Sequence, residues 1–216
     1  MSNSEHATGS QSGDSASVPR KNTLSGRTAV VSAIAGFVLM AVSGFLFFAA
    51  AGYSAQANQD PQALLAAGGS SPDIFRWASV VDLFGYLLVA PLVAYLYHRF
   101  RDEPRTVLYT AAGFAYILVG AIGAIIFLAA EPMLLRNYAS ASATVAQRAA
   151  IATTFTALYQ IVVVGLWQTL ECIPAGVWLL GTGSNLYRGN RRALALVPFA
   201  LGSLYLLLAA VRLLGI

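Results

Sequence analysis

The stretch that decides the fold is residues 28–51, TAVVSAIAGFVLMAVSGFLFFAAA, which runs for 24 residues without a charge. As an α-helix it would be about 36 Å long, enough to cross a hydrocarbon core of about 30 Å. The rival reading is a secretory signal peptide, because Ala55-Gln56-Ala57 resembles a cleavage site. Signal-peptide apolar regions run only about 7–15 residues, so the length favours a retained membrane helix.

Four further apolar runs follow this first one along the chain. They cover about 77–97, 107–130, 149–180 and 193–214. Each is long enough to cross a bilayer as a helix. The sequence therefore predicts an all-α, polytopic transmembrane bundle of five spans, with residues 28–216 as its single domain. Thr144 and Gln147 have the spacing of a capping box, which would start the fourth helix ahead of its apolar run.

The composition excludes a soluble globular protein. The 216 residues are 57% hydrophobic and 10% charged, and the mean hydropathy is +0.66. Ordinary globular chains are about 45–50% apolar and about 25% charged. The single Cys172 allows no internal disulfide, and no zincin, P-loop, dinucleotide-binding, CxxC or GxSxG motif occurs. We predict no catalytic residues, no metal and no cofactor.

The basic residues alternate along the chain and predict its orientation. Nine of the 13 lie in a polar tail, residues 1–27, and in the loops after the second and fourth spans. Cytoplasmic segments carry the basic excess, so the N-terminus is predicted inside and the C-terminus outside a bacterial cytoplasmic membrane. The tail is predicted to be disordered from its composition. The basic residues flank apolar runs, which indicates lipid rather than nucleic acid as the partner.

One basic cluster at the predicted cytoplasmic edge is a candidate site for anionic lipid headgroups. It consists of His98, Arg99 and Arg101. A plain topology anchor is the alternative interpretation of the same cluster. Deeper in the spans, Asp82 and Arg212 have similar predicted depth, and we predict a structural ion pair or a snorkelling arrangement for them.

Glu171 is the most informative polar residue because it lies near the middle of the fourth span. On a wheel of about 100° per residue it shares a polar and aromatic stripe with Gln160 and Trp167. An isolated carboxylate there would be strongly destabilised, so we predict a protonated Glu171 that is hydrogen-bonded inside the bundle, or one that binds a cation or amine. A single interhelical hydrogen bond is the structural alternative. The candidate binding residues are Glu171, Gln160, Gln168, Trp167, Tyr159, Asp82 and Tyr86.

The quoted spans also carry a family resemblance. The second span, SVVDLFGYLLVAPLVAYLYHRFR, the Gly-rich third span, the long fourth helix and the closing NRRALALVPFALGSLYLLLAAVRLLG resemble a bacterial multi-pass family of unknown function, the DUF4386-like group. The resemblance covers most of the chain after the tail and implies no activity that could be transferred to particular residues.

Three functions are compatible with these patterns. The first is non-enzymatic binding of a small molecule, ion or lipid in a polar cavity, as a transport-accessory protein. The second is a structural or regulatory subunit whose helix faces pack against another membrane protein. The predicted partners are the lipid bilayer and either a second copy of the chain or a membrane partner protein. The third is a membrane-embedded enzyme that modifies lipid. A cavity that reaches Glu171 would favour the first, and a tightly filled interior would favour the second.

Overall fold

The computed structural model describes residues 26–57 and 60–215. The predicted tail, residues 1–27, lies outside this range except for Gly26 and Arg27, which begin the first helix. Every regular element in the described part is a helix. Five helical stretches are long and apolar enough to cross a membrane, which confirms both the fold class and the number of spans.

The described residues form eight α-helices and one π-helical segment. They are α1 Gly26–Ala50, α2 Pro61–Gly68, α3 Pro72–Leu87, α4 Ala90–Phe100, α5 Thr106–Ala139, α6 Val145–Tyr159, the π segment Gln160–Leu170, α7 Cys172–Arg188 and α8 Arg192–Leu214. Helices α3 and α4 together form the second span, and α6, the π segment and α7 form the fourth. The short α2 is the one α-helix among them that is not part of a span.

The second span is interrupted where a proline removes a backbone donor. Pro91 has no N–H to offer to the carbonyl of Leu87, four residues earlier. The chain therefore tightens between α3 and α4, where the N–H of Val89 donates to the carbonyl of Tyr86 at 3.0 Å.

The third span is longer than the sequence predicted. We expected it to end at Ala130 and placed the following residues in a loop, but α5 continues to Ala139. Pro132 lies inside the helix and removes only one backbone hydrogen bond. The added turns bury Leu134 and Leu135 in an apolar cluster together with residues of α2 and α6. This packing keeps the end of α5 helical.

The fourth span begins where the capping box predicted. The N–H of Gln147 donates to the Thr144 hydroxyl at 3.2 Å, and the N–H of Thr144 donates to the Gln147 side-chain oxygen at 2.8 Å. From there the span runs for 44 residues, which corresponds to roughly 65 Å of helix. Its central 11 residues are π-helical, which the sequence did not predict.

The bundle has an apolar interior and an apolar exterior. Large side chains such as Val31, Phe37, Leu118 and Leu196 are more than half exposed on the outside of the spans. Water does not tolerate a contiguous apolar surface of this extent, so these side chains face the acyl chains of a bilayer. The protein is therefore a multi-pass membrane protein.

Candidate functional site

Glu171 faces the interior of the bundle and contacts a tyrosine from another span. Glu171 directly follows the π segment, and only 6% of the residue is exposed. The Tyr86 hydroxyl lies 3.0 Å from each of the two Glu171 carboxyl oxygens. These contacts tie α3 to the fourth span in the middle of the bundle.

The two equal contacts are possible for either charge state of Glu171. A tyrosine hydroxyl carries one donor and can also accept, whereas an ionised carboxylate only accepts. With a protonated Glu171, Tyr86 donates to one oxygen and accepts from the other. With an ionised Glu171, both oxygens share the single Tyr86 hydroxyl hydrogen. The tyrosine ring is held in turn by Tyr116, with the ring centroids 5.6 Å apart, and Tyr116 stacks on Trp178 at 6.0 Å.

The structure does not bring Asp82 and Arg212 together. The ion pairs among residues 26–57 and 60–215 are Arg101–Asp102, Arg136–Asp73 and Arg188–Glu103. Asp82 is half-buried beside Ser43 of α1 and within electrostatic range of Glu171. Arg212 instead lies within electrostatic range of Tyr159.

A second buried acid, Glu131, was missed by the sequence analysis. It lies in α5 with 0% of its surface exposed, and neither carboxyl oxygen has a hydrogen-bond partner among the described residues. It was overlooked because it directly follows an uncharged run and precedes Pro132, a pattern typical of a helix end. The apolar Leu134 and Leu135 beyond it are the signal that the helix continues.

Glu131 lines a pocket of about 230 Å³ between the spans. The lining side chains come from α1, α2, α3, α5, α6 and the π segment, and most of them are aromatic or aliphatic. They are Phe47, Leu64, Phe75, Phe127, Glu131, Tyr159, Val163 and Trp167. The pocket thus combines one buried carboxyl group with an otherwise largely apolar wall.

The aromatic rings of this pocket are in contact with one another. Phe47 contacts both Phe75 and Phe127, with ring centroids 5.8 and 6.5 Å apart. Phe127 meets Trp167 edge to face at 5.2 Å. The rings therefore form a continuous wall from α3 through α1 and α5 to the π segment.

Trp167 reaches this position because glycines leave room on α5. A Cβ at Gly123 would lie 2.3 Å from the Trp167 indole nitrogen, closer than non-bonded atoms can approach. Without that Cβ, the indole N–H donates to the carbonyl of Gly120 at 3.3 Å. The glycines of the third span and the tryptophan of the fourth span are thus in contact beside the pocket.

The predicted binding residues divide into three groups. Trp167 and Tyr159 line the pocket, whereas Glu171 and Tyr86 form a polar contact that is not part of its wall. Gln160 is exposed. Gln160 thus belongs with Asp82 and Gln168 to the third group, which takes no part in the wall or in the polar contact. Asp82 lies beside that contact, and the Gln168 side-chain oxygen is buried without a partner in the described chain.

The π segment explains why Gln160 and Glu171 do not share a face. Its hydrogen bonds reach five residues back, as in the bond of 2.7 Å from the N–H of Glu171 to the carbonyl of Leu166. Each residue therefore turns the helix through a smaller angle than in an α-helix. A wheel with the α-helical angle places the two residues on one stripe, which is wrong for this segment.

The basic cluster lies at the opposite end of α5 from Glu131, around the start of the α4–α5 loop. His98, Arg99 and Arg101 are exposed there, and the Arg99 guanidinium lies 5.9 Å from the ring centroid of Phe100. Arg99 and Arg191 both line a cavity of about 130 Å³. The cluster is therefore an exposed basic surface at this end of the bundle.

One comparison with known proteins gave a match. A family model described as a domain of unknown function, DUF4386, matches residues 33–215. Neither a curated protein nor a solved structure matches the chain.

Proposed function

The chain belongs to the DUF4386 domain family, and we propose that it is a non-enzymatic membrane protein that binds a small molecule in the pocket lined by Glu131. The family description gives no activity, so the proposal rests on the site. It keeps the predicted class of function but moves the ligand from Glu171 to a neighbouring pocket.

The observation that carries the proposal is the state of the Glu131 carboxyl group. Burial of a polar group without a hydrogen bond costs several kcal/mol in apolar surroundings, and an unpaired charge costs more. Glu131 is fully buried with two unpartnered oxygens among the described residues, and it is one of the residues that line the cavity. A bound molecule that contacts the carboxyl group would offset this cost.

Binding rather than catalysis is favoured by the chemistry of the lining residues. An enzyme site of the usual kind pairs a nucleophile with a base that is itself held by a third group. The pocket offers one carboxyl group, the phenol of Tyr159 and the indole of Trp167. The indole N–H is already bonded to a backbone carbonyl.

The other predicted roles belong to the same proposal. We assign the contact between Tyr86 and Glu171 to holding the second and fourth spans together, with Asp82 beside it. We assign His98, Arg99 and Arg101 to anionic headgroups on the cytoplasmic side of a bacterial membrane. With a ligand in the pocket, the protein would act as a transport-accessory protein. It would do so as a single chain, as a homo-oligomer or together with a membrane partner protein.

The volume of the pocket determines the size of the compounds with which binding is tested. A cavity of about 150 Å³ holds benzene, so about 230 Å³ accommodates a compound of about nine non-hydrogen atoms. Purified protein in detergent is screened by thermal shift against cationic, neutral and anionic compounds of that size. A ligand at 100 times its Kd stabilises the folded state by about 2.7 kcal/mol.

Two matched variants separate pocket binding from general effects. Val163→Phe fills the pocket from the π segment, whereas Ile161→Phe adds the same ring at a position that is 60% exposed to lipid. We expect stabilisation of the wild type and of Ile161→Phe by at least one class of compound, and loss of the effect in Val163→Phe. A screen with no stabilising compound, or equal stabilisation of both variants, would contradict the proposal.

A further inference from the structure

We infer that the ligand of this pocket is an organic cation, a protonated amine or quaternary ammonium with an apolar body. The inference rests on the proposed function of the same pocket and names the class of ligand. It follows from the combination of a buried carboxyl group with a wall of aromatic rings.

Charge decides between the classes of ligand. None of the eight residues that line the pocket is Lys, Arg or His. Arg212 lies within electrostatic range of the lining residue Tyr159, but no charged group lies within such range of Glu131 among the described residues. An anionic ligand would meet a carboxyl group with no basic partner in the wall. A cationic ligand supplies a counter-charge for Glu131, and the attraction between the two charges offsets the cost of taking them out of water.

The aromatic rings around the cavity also favour a cationic ligand. Phe47, Phe127 and Trp167 are linked by ring contacts of 6.5 and 5.2 Å around the cavity. Aromatic faces carry partial negative charge and attract a cation within about 6 Å of the ring centroid, most strongly when water is absent. A carboxylate beside several rings is the arrangement that recognises ammonium groups.

The small number of hydrogen-bonding groups excludes a strongly polar ligand. The Trp167 indole N–H donates to the Gly120 carbonyl at 3.3 Å, so this donor already has a partner. Besides Glu131, Tyr159 is the remaining lining residue with a polar side chain. A sugar or nucleotide would leave most of its polar groups without partners.

Three compounds of similar size test the inference directly. Phenethylamine is a cation at neutral pH, 2-phenylethanol is its neutral counterpart, and phenylacetate is an anion. Binding to the full chain in detergent is followed through the fluorescence of Trp167, with Trp167→Phe to identify that signal, and by thermal shift. We expect the amine to bind at least about tenfold more tightly than the alcohol and phenylacetate to bind most weakly.

The critical variant is Glu131→Gln, which removes the charge of the buried acid. In Glu131→Gln the preference for the amine over the alcohol should fall to about onefold, because the side chain keeps its size and loses its charge. Asp102→Asn removes an acid whose side chain is 97% exposed in the α4–α5 loop, and it should keep the tenfold preference. Phe127→Leu is the second variant if Glu131→Gln does not fold, and it should weaken the amine more than the alcohol.

The outcomes distinguish this inference from the function on which it rests. Equal or tighter binding of the alcohol or of phenylacetate in the wild type would overturn the organic-cation assignment and leave small-molecule binding intact. A preference for the amine that survives in Glu131→Gln would also overturn it. If no compound of the wider screen binds, both the function and the ligand class fall.

Discussion

Removal of the Tyr86 hydroxyl measures the charge state of Glu171. Tyr86→Phe keeps the ring, and with it the contact of 5.6 Å with Tyr116, but removes the hydroxyl that lies 3.0 Å from both carboxyl oxygens. Glu171→Gln keeps one acceptor and one donor in the place of a protonated acid. The two variants and their combination form a double-mutant cycle.

The expected magnitudes differ widely between the two charge states. Hydrogen bonds between spans contribute about 0.6 kcal/mol on average and at most about 1.7 kcal/mol. If Glu171 is neutral, Tyr86→Phe should lower the free energy of unfolding by about 0.6–1.7 kcal/mol in the wild type and by a similar amount in Glu171→Gln. If Glu171 is ionised, the variant leaves a charge that is 6% exposed without its partner, which costs about 3–5 kcal/mol.

The assay is reversible unfolding of the purified protein in mixed micelles, followed by far-ultraviolet circular dichroism. Tyr187→Phe is the matched control, because Tyr187 is 52% exposed and its variant should change the free energy by less than about 0.5 kcal/mol. We expect a small cost for Glu171→Gln and normal expression. A loss above about 3 kcal/mol in Tyr86→Phe, or failure of Glu171→Gln to accumulate, would refute a neutral Glu171.

Two further predictions concern packing and orientation. Gly181→Ala places a Cβ 2.0 Å from the Tyr109 ring and should destabilise the fold by about 1–3 kcal/mol. Gly44→Ala is the control, because its Cβ meets nothing within 4 Å, and it should be neutral or stabilising by up to about 1 kcal/mol. Equal unfolding midpoints of the two variants would contradict this difference. In intact cells a membrane-impermeant maleimide should label Ala141→Cys, which lies between α5 and α6. It should label Asp102→Cys, between α4 and α5, only after the membrane is permeabilised. The reverse labelling pattern would contradict the predicted topology.

The fold was predictable from the sequence because the bilayer leaves few choices. A backbone in hydrocarbon must satisfy its own hydrogen bonds, so long uncharged runs can only be helices or barrel strands, and runs of 20 or more residues are helices. The capping box of Thr144 and Gln147 depends on neighbouring residues alone and was therefore predictable as well. The inward orientation of Glu171 followed from the cost of exposing an acid to acyl chains.

The site was decided by contacts between distant parts of the chain. Glu131 lies buried inside a helix because Leu134 and Leu135 pack against α2 and α6. The two leucines indicate in the sequence that the helix continues, but they do not indicate which helices they pack against. The angular position of Trp167 depends on the π segment, whose wider turns rotate the face that an α-helical wheel assigns. The sequence by itself determined which segments cross the membrane, because that depends on the transfer of each segment into lipid. Only the tertiary structure decided which acid adjoins a cavity, because a cavity is the space that several helices leave between them.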